Sequence, residues 1–378
     1  MVLPRRVGIA ILGAGVAGCA TAIALAASGV PDVAVFDTGR RNAHFRIGES
    51  LPAAARPLLR QLGVLDRITA LQPLAKSGAT VLWGKDFLGY NDAVFDPAGA
   101  GWHLDRVAFD NALRDEVAAR GIPIFQPLCL NTVYNALDGA VLLDFAGAGE
   151  VTARLLVDAS GVVAAGLRRL NVARNLVDVL LVYHAVTNVN PSSAGAARTF
   201  LEAVPYGWWY AARIPGNRMV AMLATDKESI ENAGLSLSSP ADFSATLSAT
   251  SLIGPEVAAA CPTSAWAMGR CSATTAVLSR VAGGNWVAVG DAAWSCDPLT
   301  AQGITKALLD GIAVAEALAV QSRGGGCTAV LGYQSASFAR FTANLRLRAA
   351  LYEAEGRWPD APFWRKRRPA VRLAAVCS

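Results

Sequence analysis

The sequence predicts an α/β chain, with a doubly wound, Rossmann-type sheet interrupted by a second, sheet-based region and followed by a helical segment. Three observations carry this expectation. The opening VGIAILGAGVAGCATAIALAASGVPDVAVFD reads as strand, glycine turn, helix and strand. Two later apolar runs, LLVDASG at 155–161 and NWVAVGDAA at 285–293, look like buried parallel strands. Between them, at about 166–280, the pattern changes to short strand candidates separated by Pro and Ser loops.

In order along the chain, residues 7–12 form the first strand, and the following helix carries small residues where it faces the sheet. Gly29 and Pro31 end that helix before a second strand at 33–36. A polar stretch at 38–50 leads to a helix at 53–62, stopped by Gly63. Short strands are expected at 78–83 and 102–104, a helix at 107–119, and two or three strands in 122–157. In the inserted region the strand candidates are 179–186 and 219–223. A helix at 302–319 follows the second buried run, and after the Arg323-Gly-Gly-Gly linker residues 330–357 read as one long helix, with a Trp- and Arg-rich end.

Composition narrows the functional classes. Of 378 residues, 53% are hydrophobic and 17% charged, so a membrane span has to be considered first. Residues 7–30 are uncharged, but Gly13, Gly15 and Gly18 sit where a strand turns into a helix, and no signal-peptide pattern frames the run. The net charge of +5 is concentrated in Arg365, Lys366, Arg367 and Arg368, a solvated tail without the interleaved aromatics of a nucleic-acid surface. The seven cysteines, at 19, 129, 261, 271, 296, 327 and 377, form no CxxC pair; reduced thiols and a cytoplasmic location are expected. With only His44, His103 and His184 available, no metal site is expected.

The glycine turn is the first constellation with chemistry in it. Gly13, Gly15 and Gly18 allow a tight turn, close approach of a pyrophosphate and close helix packing, and the helix start supplies amides and a positive dipole end. Asp37, closing the second strand, stands where a ribose hydroxyl would be bound. These residues, with Ala14 and Ala17 in the same turn, are candidates for dinucleotide binding.

Three further motifs then resemble a family. WHLDRVAFDNAL is similar to the segment of FAD-dependent monooxygenases whose arginine, here Arg106, reaches the ribityl and phosphate region. LVDASG resembles their Asp-Gly motif at Asp158 and Gly161, and VAVGDAAWSCDPLTAQGITKAL resembles their Gly-Asp motif, which would put Asp291 on the ribityl chain. In that arrangement Gln302 and Gly303 offer amides to the flavin O2, and Glu49, Ser50 and Pro298 join the FAD contacts. The resemblance implies a Rossmann-type FAD-binding domain (1–75, 100–165 and 281–325), an aromatic-hydroxylase-like substrate domain (76–99 and 166–280) and a C-terminal helical segment (326–378).

RIGESLPAAARPLLRQLGV, GWWYAARIPG and EGRWPDAPFWRKRR resemble, more narrowly, the branch holding flavin-dependent halogenases, geranylgeranyl reductases and maturases that hydroxylate a peptidyl tryptophan for quinone-cofactor enzymes. DPLTAQG and RWPDAPFW match the last pattern best. This implies a monooxygenase acting through a C4a-hydroperoxyflavin, with O2 as co-substrate and electrons from NAD(P)H or a separate flavin reductase. Its aromatic substrate would be a tryptophan of a partner polypeptide. Halogenation, reduction of isoprenoid double bonds and a non-catalytic FAD scaffold are the alternatives.

Lys76, in LAKSGATVLWG, falls where halogenases carry the lysine thought to pass activated halogen to the substrate. It serves such a step, donates to a hydroperoxide, or is a loop lysine facing water. Against halogenation, the family's Trp-x-Trp-x-Ile-Pro form is broken, since Trp208 and Trp209 are adjacent and Ala211, Ala212 and Arg213 separate Tyr210 from Ile214. Trp208, Trp209 and Tyr210 either line an aromatic cleft or are plain core. His103 is expected as a structural hydrogen-bonder and Cys296 as a packed thiol.

Overall fold

The computed structural model describes residues 2–39, 46–136, 139–190, 197–261 and 265–368. His44 and Cys377 lie outside the described residues.

Strand Arg6–Leu12, helix Val16–Ala27 and strand Val33–Phe36 form the expected opening unit. They belong to a seven-stranded sheet in which Ile124–Phe125, Val33–Phe36, Arg6–Leu12, Gly149–Asp158 and Trp286–Ala288 run parallel. Val141–Phe145 and Leu130–Asn135 extend it antiparallel. Residues 122–158 thus hold four strands rather than two or three, because Ile124–Phe125 pairs for only two residues and shows no alternation to read. Both parallel runs found in the sequence lie side by side, Leu156 to Asp158 against Trp286 to Ala288.

The second sheet has eight strands, in the order Trp294–Ser295, Ala267–Leu278, Arg174–Asn188, Arg218–Thr225, Gly207–Ile214, Arg198–Val204, Gly78–Leu82 and Gly89–Asp92. All its pairs are antiparallel except Arg198–Val204 with Gly78–Leu82. The short strands expected at 179–186 and 219–223 are parts of longer ones, and the region also contains helices at Lys227–Asn232, Pro240–Ser248 and Ile253–Ala260. The second of these carries its own start signal. Ser239 caps the helix, Pro240 opens it, and Asp242 closes a reciprocal capping box.

Each face of the second sheet is covered differently, and strand alternation decides which residue goes where. Trp209, Ala211 and Leu223 pack with Phe243, Leu247 and Trp266 on the helix side. Trp208, Tyr210 and Ala212 point the other way, toward Tyr352, Phe363 and Trp364 of the C-terminal segment. That segment consists of the long helix Thr328–Glu353 and the short helix Pro362–Arg367.

A third, small sheet joins the two large ones. Ser50–Leu51 and Leu74–Ala75 both pair antiparallel with Trp102–His103, each strand only two residues long. Among the described residues no helix is long and apolar enough to cross a membrane.

Candidate active site

The glycine turn has the geometry a pyrophosphate needs. A Cβ at Gly13, where φ is +101°, would lie 2.5 Å from the Ala159 carbonyl oxygen, and one at Gly18 would lie 1.9 Å from the Gly13 oxygen. Gly15, the residue before helix Val16–Ala27, faces open space instead, as does Gly303 at the start of helix Gly303–Ser322. Two helix starts with clear approaches thus flank the sheet's carboxyl edge, and each presents free amides to an anion or a carbonyl oxygen. The Gly290–Asp291 turn is drawn into the same place: a Cβ at Gly290 would meet the Ala17 methyl at 2.6 Å.

Two candidate carboxylates already have partners within the protein. Asp37 pairs with Arg114 at 3.1 Å. Asp158 is fully buried and accepts from the Ser160 amide at 3.0 Å, the Ser160 hydroxyl at 2.5 Å and the Leu167 amide at 2.9 Å. Its bonds hold the turn at Gly161 rather than point outward, and burial pushes its carboxyl above the ordinary value. Asp158, expected among the FAD contacts, thus holds the turn that carries Gly161. Asp291, by contrast, keeps half of its side chain exposed.

Arg106 opens helix Arg106–Ala119, which Asp105 caps by accepting from the Val107 and Ala108 amides at 3.0 Å each. Arg106 Nη1 donates to the carbonyls of Ile47 and Gly48, at 3.2 and 2.7 Å, and Nη2 to Asp110 at 3.2 Å. The loop holding Glu49 and Ser50 is thereby fixed to the helix start. Buried Arg106 Nε and Glu49 Oε2 have no hydrogen-bond partner among the described residues. Two orphaned polar atoms, a donor and an acceptor, together with the two open helix starts fit a hydroxyl-rich dinucleotide such as FAD.

The small sheet brings the remaining candidates together. Ser50 and Leu74 both pair with His103, and the Lys76 amide donates to the Gly101 carbonyl at 2.9 Å. His103 is fully buried, with Nε2 3.0 Å from the Thr199 hydroxyl. Burial first, and then the neighbouring Lys76 ammonium, push its imidazole down to about 4, so the ring is neutral at neutral pH. Burial also lowers Lys76 and raises Glu49, while the buried Tyr210 hydroxyl, turned toward Glu49, Ser50 and Thr199, is held well above its usual range. Lys76 is half-buried at this seam, not a lysine standing free in water.

Trp208 and Trp209 do not share a wall. Both are buried, but Trp209 lies on the far face against Phe243, with ring centroids 5.1 Å apart, so period-two alternation removes it from the site. Trp208 stays on the near face. Its Nε1 donates to the Tyr352 hydroxyl at 3.2 Å, and Tyr352 donates to Asp297 at 2.9 Å.

Asp297 opens the loop containing Pro298, Gln302 and Gly303, and the long C-terminal helix holds this loop along one face. Asn344 donates to Thr300 at 3.2 Å and to Gln302 at 2.9 Å, and Arg348 donates to Asp297 at 3.0 Å. These supports went unread in the sequence, where Asn344, Arg348 and Tyr352 repeat every four residues on a helix whose partner was unknown. Cys296 is a packed thiol, pushed up to about 12 by burial first and the nearby Asp291 carboxylate second. No group of three or more His, Cys, Asp or Glu among the described residues could hold a metal ion.

Residues 6–346 match the family model described as FAD binding domain, and the chain belongs to that family. It is an FAD-dependent oxidoreductase. LodB of Marinomonas mediterranea, named as an FAD-dependent oxidoreductase, is 28% identical over 365 residues, covering 94% of this chain and 95% of LodB. Among solved structures, the peptidyl tryptophan dihydroxylase QhpG, essential for tryptophylquinone cofactor biogenesis, is 25% identical with a TM-score of 0.73, covering 96% of this chain and 78% of QhpG. The myxobacterial chondrochloren halogenase CndH shares the fold at a TM-score of 0.84 and 19% identity, covering 98% of this chain and 88% of CndH. The flavin-dependent halogenase CmlS shares it at 0.82 and 24%, covering 97% and 68%.

Proposed function

We propose that this chain is an FAD-dependent monooxygenase that hydroxylates an aromatic side chain, a tryptophan within a partner polypeptide. The observation that carries the reading is the seam at the small sheet, where Lys76, neutral His103, Tyr210 and Glu49 gather on the face of the second sheet that also carries Trp208. The likeness to QhpG supports the choice of substrate.

FAD, reduced by NAD(P)H or a separate reductase, would supply oxygen activation at this site. Gly13, Ala14, Gly15, Ala17 and Gly18 would bind its pyrophosphate, with Asp37 at the ribose. Arg106, Asp291, Glu49 and Ser50 would hold the ribityl side, Pro298 would pack against the flavin, and Gln302 and Gly303 would offer backbone amides where negative charge develops. The buried cluster excludes water, and Lys76 serves as the hydrogen-bond donor nearest the substrate. An indole is electron-rich enough to need no strong base, and the neutral His103 and protonated Tyr210 provide none.

Mass spectrometry of a candidate partner incubated with enzyme, reductant and oxygen tests the proposal. The expected gain is about 16 or 32 Da at one tryptophan, the increment of one or two oxygens. Efficient turnover of free tryptophan, or a halogen mass in bromide, would overturn it. Halogenation is the second reading, and the half-buried position of Lys76 favours it.

A further inference from the structure

The Gly290–Asp291 turn rests on a buried lysine that the reading above leaves without a task. Lys306 lies in the first turn of helix Gly303–Ser322 and is 4% exposed. Its ammonium is 3.7 Å from Asp291 Oδ1, 3.4 Å from Asp310 Oδ2 and 4.4 Å from the centre of the Trp294 ring. None of these contacts is a hydrogen bond, and Nζ has no such partner among the described residues.

Asp310 does not need this charge. It is fully buried, yet Arg340 donates to its Oδ1 at 2.9 Å and the Gly290 amide to its Oδ2 at 3.2 Å. Arg340 answers Asp310, so the Lys306 charge is left to answer the half-exposed Asp291 carboxylate. A buried ammonium without hydrogen bonds has given up its hydration for nothing in return, and a Leu or Met would fill the space beside Trp294 without that loss. The charge therefore serves the Asp291 carboxylate rather than the packing around Trp294.

We propose that Lys306 is a positioning and charge-balancing residue of the flavin site. It offsets the Asp291 carboxylate, whose negative charge, left unopposed, would disfavour reduced, anionic FAD relative to the oxidised form. The inference rests on FAD lying at Asp291 and the start of helix Gly303–Ser322, as proposed above.

The test compares Lys306→Met and Asp291→Ala with the unchanged protein, reading the dissociation constant of oxidised FAD and the midpoint potential of bound FAD. Lys306→Met keeps the length of the side chain and leaves Asp310 paired with Arg340; Lys306→Gln answers the same question if the Met variant does not fold. The expected result is about tenfold weaker binding of reduced relative to oxidised FAD, a fall of about 30 mV for a two-electron couple. Asp291→Ala is expected to weaken both forms. An unchanged midpoint in Lys306→Met, with Asp291→Ala weakened, overturns the role of Lys306 alone. Unchanged FAD affinity in Asp291→Ala overturns the placement of FAD and the inference with it.

Discussion

The indole of Trp208 donates to the hydroxyl of Tyr352, a residue 144 positions later in the chain. Because the same hydroxyl donates to Asp297, the second sheet, the C-terminal helix and the loop before Gly303 share one line of hydrogen bonds. Tyr352→Phe would leave the Trp208 donor unsatisfied and strip Asp297 of a donor, both in a fully buried place. The expected loss is about 1–3 kcal/mol of stability, read from the urea midpoint, with weaker FAD retention because the loop loosens.

Arg106 ties the Glu49 loop to the helix start and presents its buried Nε to the same region. Arg106→Ala should weaken FAD binding by about 1.5–3 kcal/mol, roughly tenfold to more than a hundredfold in dissociation constant. Fluorescence titration of flavin-free protein measures this. In the unchanged protein, acid is expected to release the flavin intact, the outcome for noncovalent binding.

Lys76→Ala separates oxygen activation from transfer. Flavin reduction and oxygen consumption should persist while product falls at least about tenfold, the scale of one lost hydrogen bond to a charged donor. The ratio of product formed to oxygen consumed is the readout. An unchanged ratio would make Lys76 a lysine of the seam without a chemical task.

His103 gives the protein a pH dependence with a definite sign. Its folded value of about 4 lies below the ordinary 6.5, so as pH falls below 6.5 the unfolded chain takes up a proton that the folded chain refuses. Its stabilising contribution is intact above pH 6.5 and is lost as pH falls through 4, about 3 kcal/mol in all. His103→Gln, which keeps a partner for Thr199, should flatten the slope of unfolding free energy between pH 6.5 and 5. His184, also lowered by burial, leaves a residual slope.

The nucleotide-binding half was legible because its signals are local. Gly13, Gly15 and Gly18 follow a strand and open a helix within one short stretch, and the apolar runs ending at Asp158 and Ala288 announce parallel strands by themselves. What could not be read is what depends on pairing. Trp208 and Trp209 are neighbours in sequence and lie on opposite faces of a sheet, and only the partners of each face show which one meets the site. The bonds of Asp158 to Ser160 and Leu167 likewise depend on a turn that composition does not reveal. The helix at Pro240–Ser248 is a different kind of miss, for Ser239, Pro240 and Asp242 spell its start in the sequence.

The ribbon formed by Ser50–Leu51, Trp102–His103 and Leu74–Ala75 is drawn from three separate stretches of chain, yet it is only two residues deep. If FAD and substrate lie on either side of it as proposed, the two pockets are not interchangeable modules. A chimera that borrowed the Lys76 hairpin and the large second sheet from a relative would splice a foreign edge onto Trp102–His103, and a mismatch there would disturb both pockets at once. New substrate ranges in this lineage should therefore arise through coordinated changes at positions 49–51, 74–76 and 102–103 rather than by wholesale exchange of the second sheet.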